Sequence, residues 1–311
     1  MFKKIVFSTL ALLLITACNQ TFVSKTGFWM GTIVEVTFDA DKSKEVDEAL
    51  RYLESLESKI NKFTLNLDEK GAAEYDDDIK YLLSRNDYFK TLSGGRFDIS
   101  VGTIGYLYGF PEGPYKVPNE STLTESLEKV HKNRFLIKDG KIIKSEDIRI
   151  DMGAYAKGYI VDKASGYLKQ KGVNNFIFNA GGDLFASGNK NGKKWKIAIK
   201  HPDGEGKFLS VIGLSDKAVA TSGNYERYFE KDGKRYIHIF DALSGENANN
   251  YKSISVIAEN VEKADGLATV FFLLSKNDIK SICAKENTPV MIYTLDNKLL
   301  KYCGWENFEI N

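Results

Sequence analysis

Two periods of apolar spacing run through the chain. Residues 30–38 (MGTIVEVTF) alternate apolar and polar positions and are rich in β-branched side chains, which predicts a strand. Residues 44–61 place Val46, Leu50, Leu53, Leu56 and Ile60 at helical intervals, the pattern of an amphipathic helix of about five turns. Residues 77–92 repeat it with Ile79, Leu82, Leu83 and Phe89, and a third helix is expected over 158–171, closed by Gly172. Short strands are predicted at 176–179, 195–200, 209–214, 218–221, 235–240 and 253–258. A helix over 262–274 and strands at 289–294 and 299–302 complete the reading. Helical and extended segments mix without a regular βαβ rhythm, so the predicted class is α+β. From Gly27 to residue 311 there is no Pro-rich linker, charge block or repeat, which predicts one folded unit.

The first twenty residues follow another logic. Lys3 and Lys4 precede an apolar run over residues 5–15, too short for a bilayer-spanning helix. Small Thr16 and Ala17 then lead to Cys18, and Leu-Ile-Thr-Ala-Cys resembles a bacterial lipobox; an ordinary secretory signal with an incidental Cys is the plainer alternative. The expectation is a signal peptide over 1–17, a lipidated Cys18 with a tether over 18–26, and a catalytic unit over 27–311. The protein would then be lipid-anchored on the outer side of the cell membrane.

Composition narrows the function. The 311 residues carry 43 Lys plus Arg against 42 Asp plus Glu, a formal balance of +1. That leaves no sequence-independent grip on phosphate backbones, so no nucleic-acid partner is expected. Loss of Lys3 and Lys4 with the leader turns the balance slightly negative, so membrane attachment falls to lipid, not charge. Three Cys make neither a disulfide scaffold nor a four-Cys zinc site. With Cys18 as anchor, Cys283 and Cys303 are expected as two buried thiols, a disulfide being the alternative an exported setting permits.

Four clusters carry candidate chemistry. Residues 94–102 (GGRFDISVG), followed by Tyr106 to Phe110, offer glycines for close backbone approach and aromatics for a planar ring. Residues 151–159 (DMGAYAKGY) put an acid, small residues and a Lys at a helix start, where backbone N–H groups suit an anion; a Walker ending is missing. Residues 179–183 (NAGGD) leave a strand through paired glycines. Finally, residues 236–241 (YIHIFD) join residues 264–269 (ADGLAT), in which Asp265 and Thr269 share a helix face as hard oxygen donors suited to Mg2+. Each cluster taken singly also fits a turn, a helix start or a satisfied strand histidine.

In this order the clusters resemble the ApbE family of FAD:protein FMN transferases. Met30-Gly31-Thr32, residues 97–102, Tyr108-Gly109-Phe110, residues 151–159, Gly181-Gly182-Asp183, residues 220–225, residues 238–241, Ser244-Gly245 and residues 264–269 all take part. The resemblance implies a T-fold-like α+β unit that binds FAD and Mg2+ and transfers FMN to a Thr or Ser hydroxyl of an exported flavoprotein, releasing AMP. It places Met30, Arg96, Phe97, Asp98, Asp151, Lys157, Phe240 and Ala268 along FAD. Ala154 (through its carbonyl), Asp265 and Thr269 would hold the metal. His238 is the candidate base, with Asp241 orienting it or helping at the metal. Two departures stand out. Phe63 falls where the family often has a Tyr against the isoalloxazine, and it offers a ring to stack without a hydroxyl. Asp241-Ala242 replaces the usual Asp-Pro. An FAD pyrophosphatase and a non-catalytic FAD-binding lipoprotein are the competing readings.

Overall fold

The computed structural model describes residues 21–204 and 206–310. The leader and Cys18 lie outside the described residues. Strand β1 (Phe22–Trp29) pairs in register with β2 (Thr32–Asp39), so the ordered chain starts five residues before the boundary expected at Gly27. Helix α1 (Ser43–Lys70) runs nine residues past its expected end, because Phe63 and Leu67 continue the buried stripe. It stops at Gly71, whose left-handed backbone sends its N–H to the Leu67 carbonyl. Strand β3 (Ala72–Glu74) then leads to α2 (Asp77–Leu92), capped by the Asp76 carboxylate on the Ile79 N–H.

A small lobe follows, with α3 (Gly102–Tyr108), α4 (Glu120–Lys132), β4 (Phe135–Lys138) and β5 (Lys141–Lys144). Helix α5 (Ala156–Gln170) precedes the hairpin β6 (Phe176–Ala180) and β7 (Asp183–Ser187), then a second hairpin, β8 (Trp195–Lys200) and β9 (Phe208–Leu214). Strand β10 (Lys217–Gly223), the ribbon β11 (Tyr228–Lys231) with β12 (Lys234–Ile237), and β13 (Tyr251–Ala258) come next. The chain closes with α6 (Val261–Phe272), α7 (Lys276–Glu286), β14 (Val290–Thr294) and β15 (Leu299–Tyr302). The expected strand over 235–240 is cut short: it ends at Ile237 and hands His238 to Asp241 over to a loop.

Eight strands form one sheet in the order β1-β2-β6-β7-β10-β13-β14-β15, antiparallel at every pairing. The α+β expectation therefore holds. Alternation along the strands gives the sheet two faces. Val34, Val36, Phe38, Phe176, Phe178 and Ala220 pack against α1, α5 and α6 in the main core. Leu184, Val219, Ile257 and Met291 face the other way and are covered by the β8–β9 hairpin through Ile197, Ile199 and Ile212, with Trp305. Helices α5 and α6 meet closely: a Cβ on Gly158 would lie 2.7 Å from Glu262 Cα and from the Val261 oxygen. Asp162 of α5 accepts the Val261 and Glu262 N–H groups at 2.8 Å each, capping α6 from its neighbour.

The two C-terminal cysteines correct the expectation of free thiols. Cys283, fully buried on α7, and Cys303, in the turn after β15, form a disulfide with Cα atoms 6.2 Å apart. Twenty residues separate them, and only the packing of α7 beside β15 brings them within bonding range. Among the described residues no helix is long and apolar enough to cross a membrane.

Candidate active site

A cavity of about 1300 Å3 opens where the first turn of α5, the middle of α6 and the loop after β12 converge beside the β1–β2 turn. Its walls include Met30, Phe97, Asp98, Asp151, Lys157 and Phe240 of the expected flavin set. Ala154, Asp265, Thr269 and His238 also line it. The four sequence clusters thus meet in one place, although residues 30 and 269 stand far apart in the chain.

Each wall residue is held by local structure. Met30 takes a left-handed backbone (φ 53°) at the β1–β2 turn, and its N–H donates to Glu57 of α1 at 2.8 Å. Asp98 caps the short helix after it by accepting the Ser100 N–H at 2.8 Å, and its other oxygen takes Lys90. Phe97 is buried against Phe89 and Tyr155. Asp151 accepts the Gly153 N–H at 2.7 Å, which folds the segment carrying Ala154 over the start of α5. Phe240 stacks in a separate aromatic group with Tyr108 (4.8 Å between centroids) and Phe110.

The electrostatic centre lies between α5 and α6. Lys157 forms an ion pair with Asp183, and Asp265 accepts the Gly158 N–H at 3.2 Å. Burial and the like charge of Asp183 push the Asp265 carboxyl well above its ordinary range. Burial lowers an ammonium, but here the Asp183 and Asp265 charges outweigh it, and the Lys157 pKa is raised. Glu226 is pushed up to about 7 by burial and by Asp183. Several carboxyls thus share one ammonium. The Thr269 hydroxyl stands 3.3 Å from that of Ser222 on the same wall.

That donor set suits a hard divalent cation. Asp265 is a buried carboxylate short of positive charge, Thr269 adds a hydroxyl, and Ala154, which also lines the cavity, has a neutral carbonyl oxygen to offer. Among the described residues no group of three or more His, Cys, Asp or Glu forms a cage by itself. The expected set needs only one carboxylate, the remaining ligands being a hydroxyl, a carbonyl, water and substrate oxygens.

His238 lines the same cavity. Its Nδ1 lies 3.3 Å from the Arg227 main-chain oxygen, a contact made by the tautomer that keeps Nε2 unprotonated. Burial and the neighbouring Arg227 guanidinium push its pKa down to about 4, so the ring is neutral at pH 7.

Four expected residues fall elsewhere. Phe63 is 4% exposed inside the main core; Ile60, Asn61 and Thr64 of the same helix line the cavity instead. Asp241 does not orient His238: its carboxylate pairs with Arg96 and accepts the Leu243 N–H at 2.9 Å. Arg96 is spent in the same pair, which ties the segment before α3 to the loop after β12, outside the cavity wall. Ala268 is fully buried in the helix core one residue before Thr269. Conversely, Asp183 and Glu226 were missed as charged partners. Asp183 was in view, as the last residue of the Gly-Gly-Asp turn; Glu226 follows the quoted 220–225 segment by one residue.

A sheet backed by helices thus carries a cavity lined by both charged and aromatic side chains. The ApbE family model matches residues 30–292, and the chain belongs to the ApbE family. The FAD:protein FMN transferase of Haemophilus influenzae is 29% identical over 327 aligned positions, covering 95% of this chain and 94% of the relative. That of Vibrio cholerae is 32% identical over 220, covering 68% and 66%. Among solved structures, the ApbE protein of Thermotoga maritima superposes with a TM-score of 0.84 at 27% identity, covering 94% of this chain and all of the other. The flavin transferase ApbE of Vibrio cholerae gives 0.78 at 25%, covering 93% and 99%.

Proposed function

We propose that this chain is an FAD:protein FMN transferase: with Mg2+ it moves FMN from FAD to a Thr or Ser hydroxyl of an exported flavoprotein and releases AMP. The observation that carries the reading is one cavity lined by Lys157, which pairs with Asp183, by Asp265 and by a neutral His238. Asp265, Thr269 and the Ala154 carbonyl would hold the metal. The ion would neutralise pyrophosphate oxygens, the charge stabilisation that phosphoryl transfer chiefly needs. Lys157, fixed by Asp183, adds a positive charge at the start of α5. Phe97 and Phe240 supply apolar wall for a flavin or adenine ring. The acceptor hydroxyl oxygen attacks the FMN phosphorus, its proton passes to His238 Nε2, and the bond to the AMP oxygen breaks. The leader and Cys18 support a lipid-anchored enzyme on the outer membrane face, where such an acceptor would lie.

The test uses purified protein, FAD, Mg2+ and a flavoprotein partner, read by in-gel flavin fluorescence and mass spectrometry. The expected product is covalent FMN on the partner with one AMP released per FMN, lost on chelation of Mg2+. Free FMN and AMP beside an unlabelled partner would instead show FAD hydrolysis, and unchanged FAD would show storage. His238→Ala should lower transfer by on the order of 10²–10⁴-fold with FAD still bound; full transfer would remove His238 as base.

A further inference from the structure

The cavity is larger than the roughly 300–1,000 Å3 of an ordinary small-molecule site, and part of its lining has no role in holding FAD. That part comprises Glu35 and Thr37 of β2 together with the five consecutive residues Lys196, Ile197, Ala198, Ile199 and Lys200 of β8. Side chains of consecutive strand residues point to opposite faces. Ile197 and Ile199 do point into the second core, and Lys196, Ala198 and Lys200 are exposed. Five residues in a row can therefore line one groove only if the strand presents its edge to it. Strand β8 has such an edge: it pairs with β9 on one side, and among the described residues no strand pairs with the other.

We propose that the free edge of β8 is the docking site for the acceptor, which adds a segment in extended form as a further strand and so carries its Thr or Ser along the groove to His238. This rests on the transferase reading and names how that reaction takes its protein substrate. Main-chain hydrogen bonds to an open edge supply affinity for an extended segment with little dependence on its sequence. Charge supplies the selection. Lys196 and Lys200 flank the edge on the exposed side of β8, and Lys190, Lys193 and Lys194 precede them. Glu35 of β2 lines the same cavity. The partner that fits is a flexible, acidic segment around the modified hydroxyl. A rigid helical surface cannot complete the ladder.

The experiment gives the full-length protein FAD, Mg2+ and a displayed library of random segments of roughly fifteen residues, each with one central Thr. Flavin-labelled members are isolated by fluorescence and sequenced. The wild-type protein should enrich Asp and Glu beside the Thr several-fold. Lys196→Glu with Lys200→Glu should turn that preference toward Lys and Arg while FAD affinity stays unchanged. A selected segment, added in excess, should slow amide hydrogen exchange over residues 196–200. An identical labelled set from both proteins, or unchanged exchange over 196–200, overturns the docking edge and leaves the transferase standing. A library unlabelled by the wild-type protein also overturns it; the transferase reading itself falls only if an intact flavoprotein partner stays unlabelled too.

Discussion

Phe63 obeys the helical period and packs in the main core, not in the cavity lining where its place in the motif order would put it. It continues the buried stripe of α1 from Ile60 toward Leu67 and, unlike Ile60, does not line the cavity. Phe63→Leu should therefore cost up to about 1.5 kcal/mol in a urea titration and leave FAD affinity unchanged. A several-fold weaker affinity at an unchanged urea midpoint would put the ring against the flavin after all. His238 makes the opposite kind of statement. Its pKa is depressed to about 4, below the ordinary 6.5, so the neutral base persists as the pH falls through 6 and 5. The expected kcat profile is flat from pH 7 to about 5 and falls as pH approaches about 4. An acid limb centred near 6.5 would mean that the ring is hydrated like a surface histidine. The motifs made most wall residues legible, because glycine-rich turns and an Asp-Thr pair one helical turn apart are local signals. The Arg96–Asp241 pair was not legible. Opposite charges 145 residues apart declare nothing until the chain folds and brings them into one ion pair.

Helices α5 and α6 show why the site needs its glycines. Lys157 and Asp265 belong to different helices, and their separation is set by how closely those helices approach. Gly158 permits that approach and also gives its N–H to Asp265. A methyl at 158 would meet backbone, which cannot turn aside as a side chain can. Gly158→Ala should thus destabilise by about 1–3 kcal/mol and lower kcat together. Gly166 is the control: it lies in the same helix, with open space where its Cβ would be. Gly166→Ala should be neutral or stabilising by up to about 1 kcal/mol, with kcat unchanged. Equal effects of the two substitutions would refute the close-packing argument. Residues 77–92, 195–200 and 299–302 were legible to the residue, since strong periodicity ended at clear stops. Strand β1 was hidden because its first five residues fall in the segment 18–26 read as a tether and residues 22–29 show no apolar alternation. Only pairing with β2 along its whole length makes them a strand. Helix α4 was also missed; Val130 is its one buried position, which leaves almost no apolar stripe to find.

The sheet's last strand is fastened differently from its first. β1 is an edge held by eight paired residues of β2, whereas β15 has four pairs to β14 and the Cys283–Cys303 bond to α7. Closing a loop of that size removes denatured-state freedom worth roughly 3 kcal/mol. The catalytic cavity lies at the other end of the sheet order, lined by β2, β6 and β10 together with α5 and α6, and contains neither cysteine. Reduction should therefore act on stability and spare chemistry. With Cys283→Ser and Cys303→Ser together, or with dithiothreitol, the melting temperature should fall by several degrees while kcat and the FAD affinity at 25 °C stay at wild-type values. The doubly substituted protein, having no bond left to reduce, should show no further loss in dithiothreitol. A fall in kcat that tracks reduction at a temperature where the protein stays folded would instead couple the α7–β15 edge to the site. The route would run through β13 and α6, which connect that edge to Asp265 and Thr269.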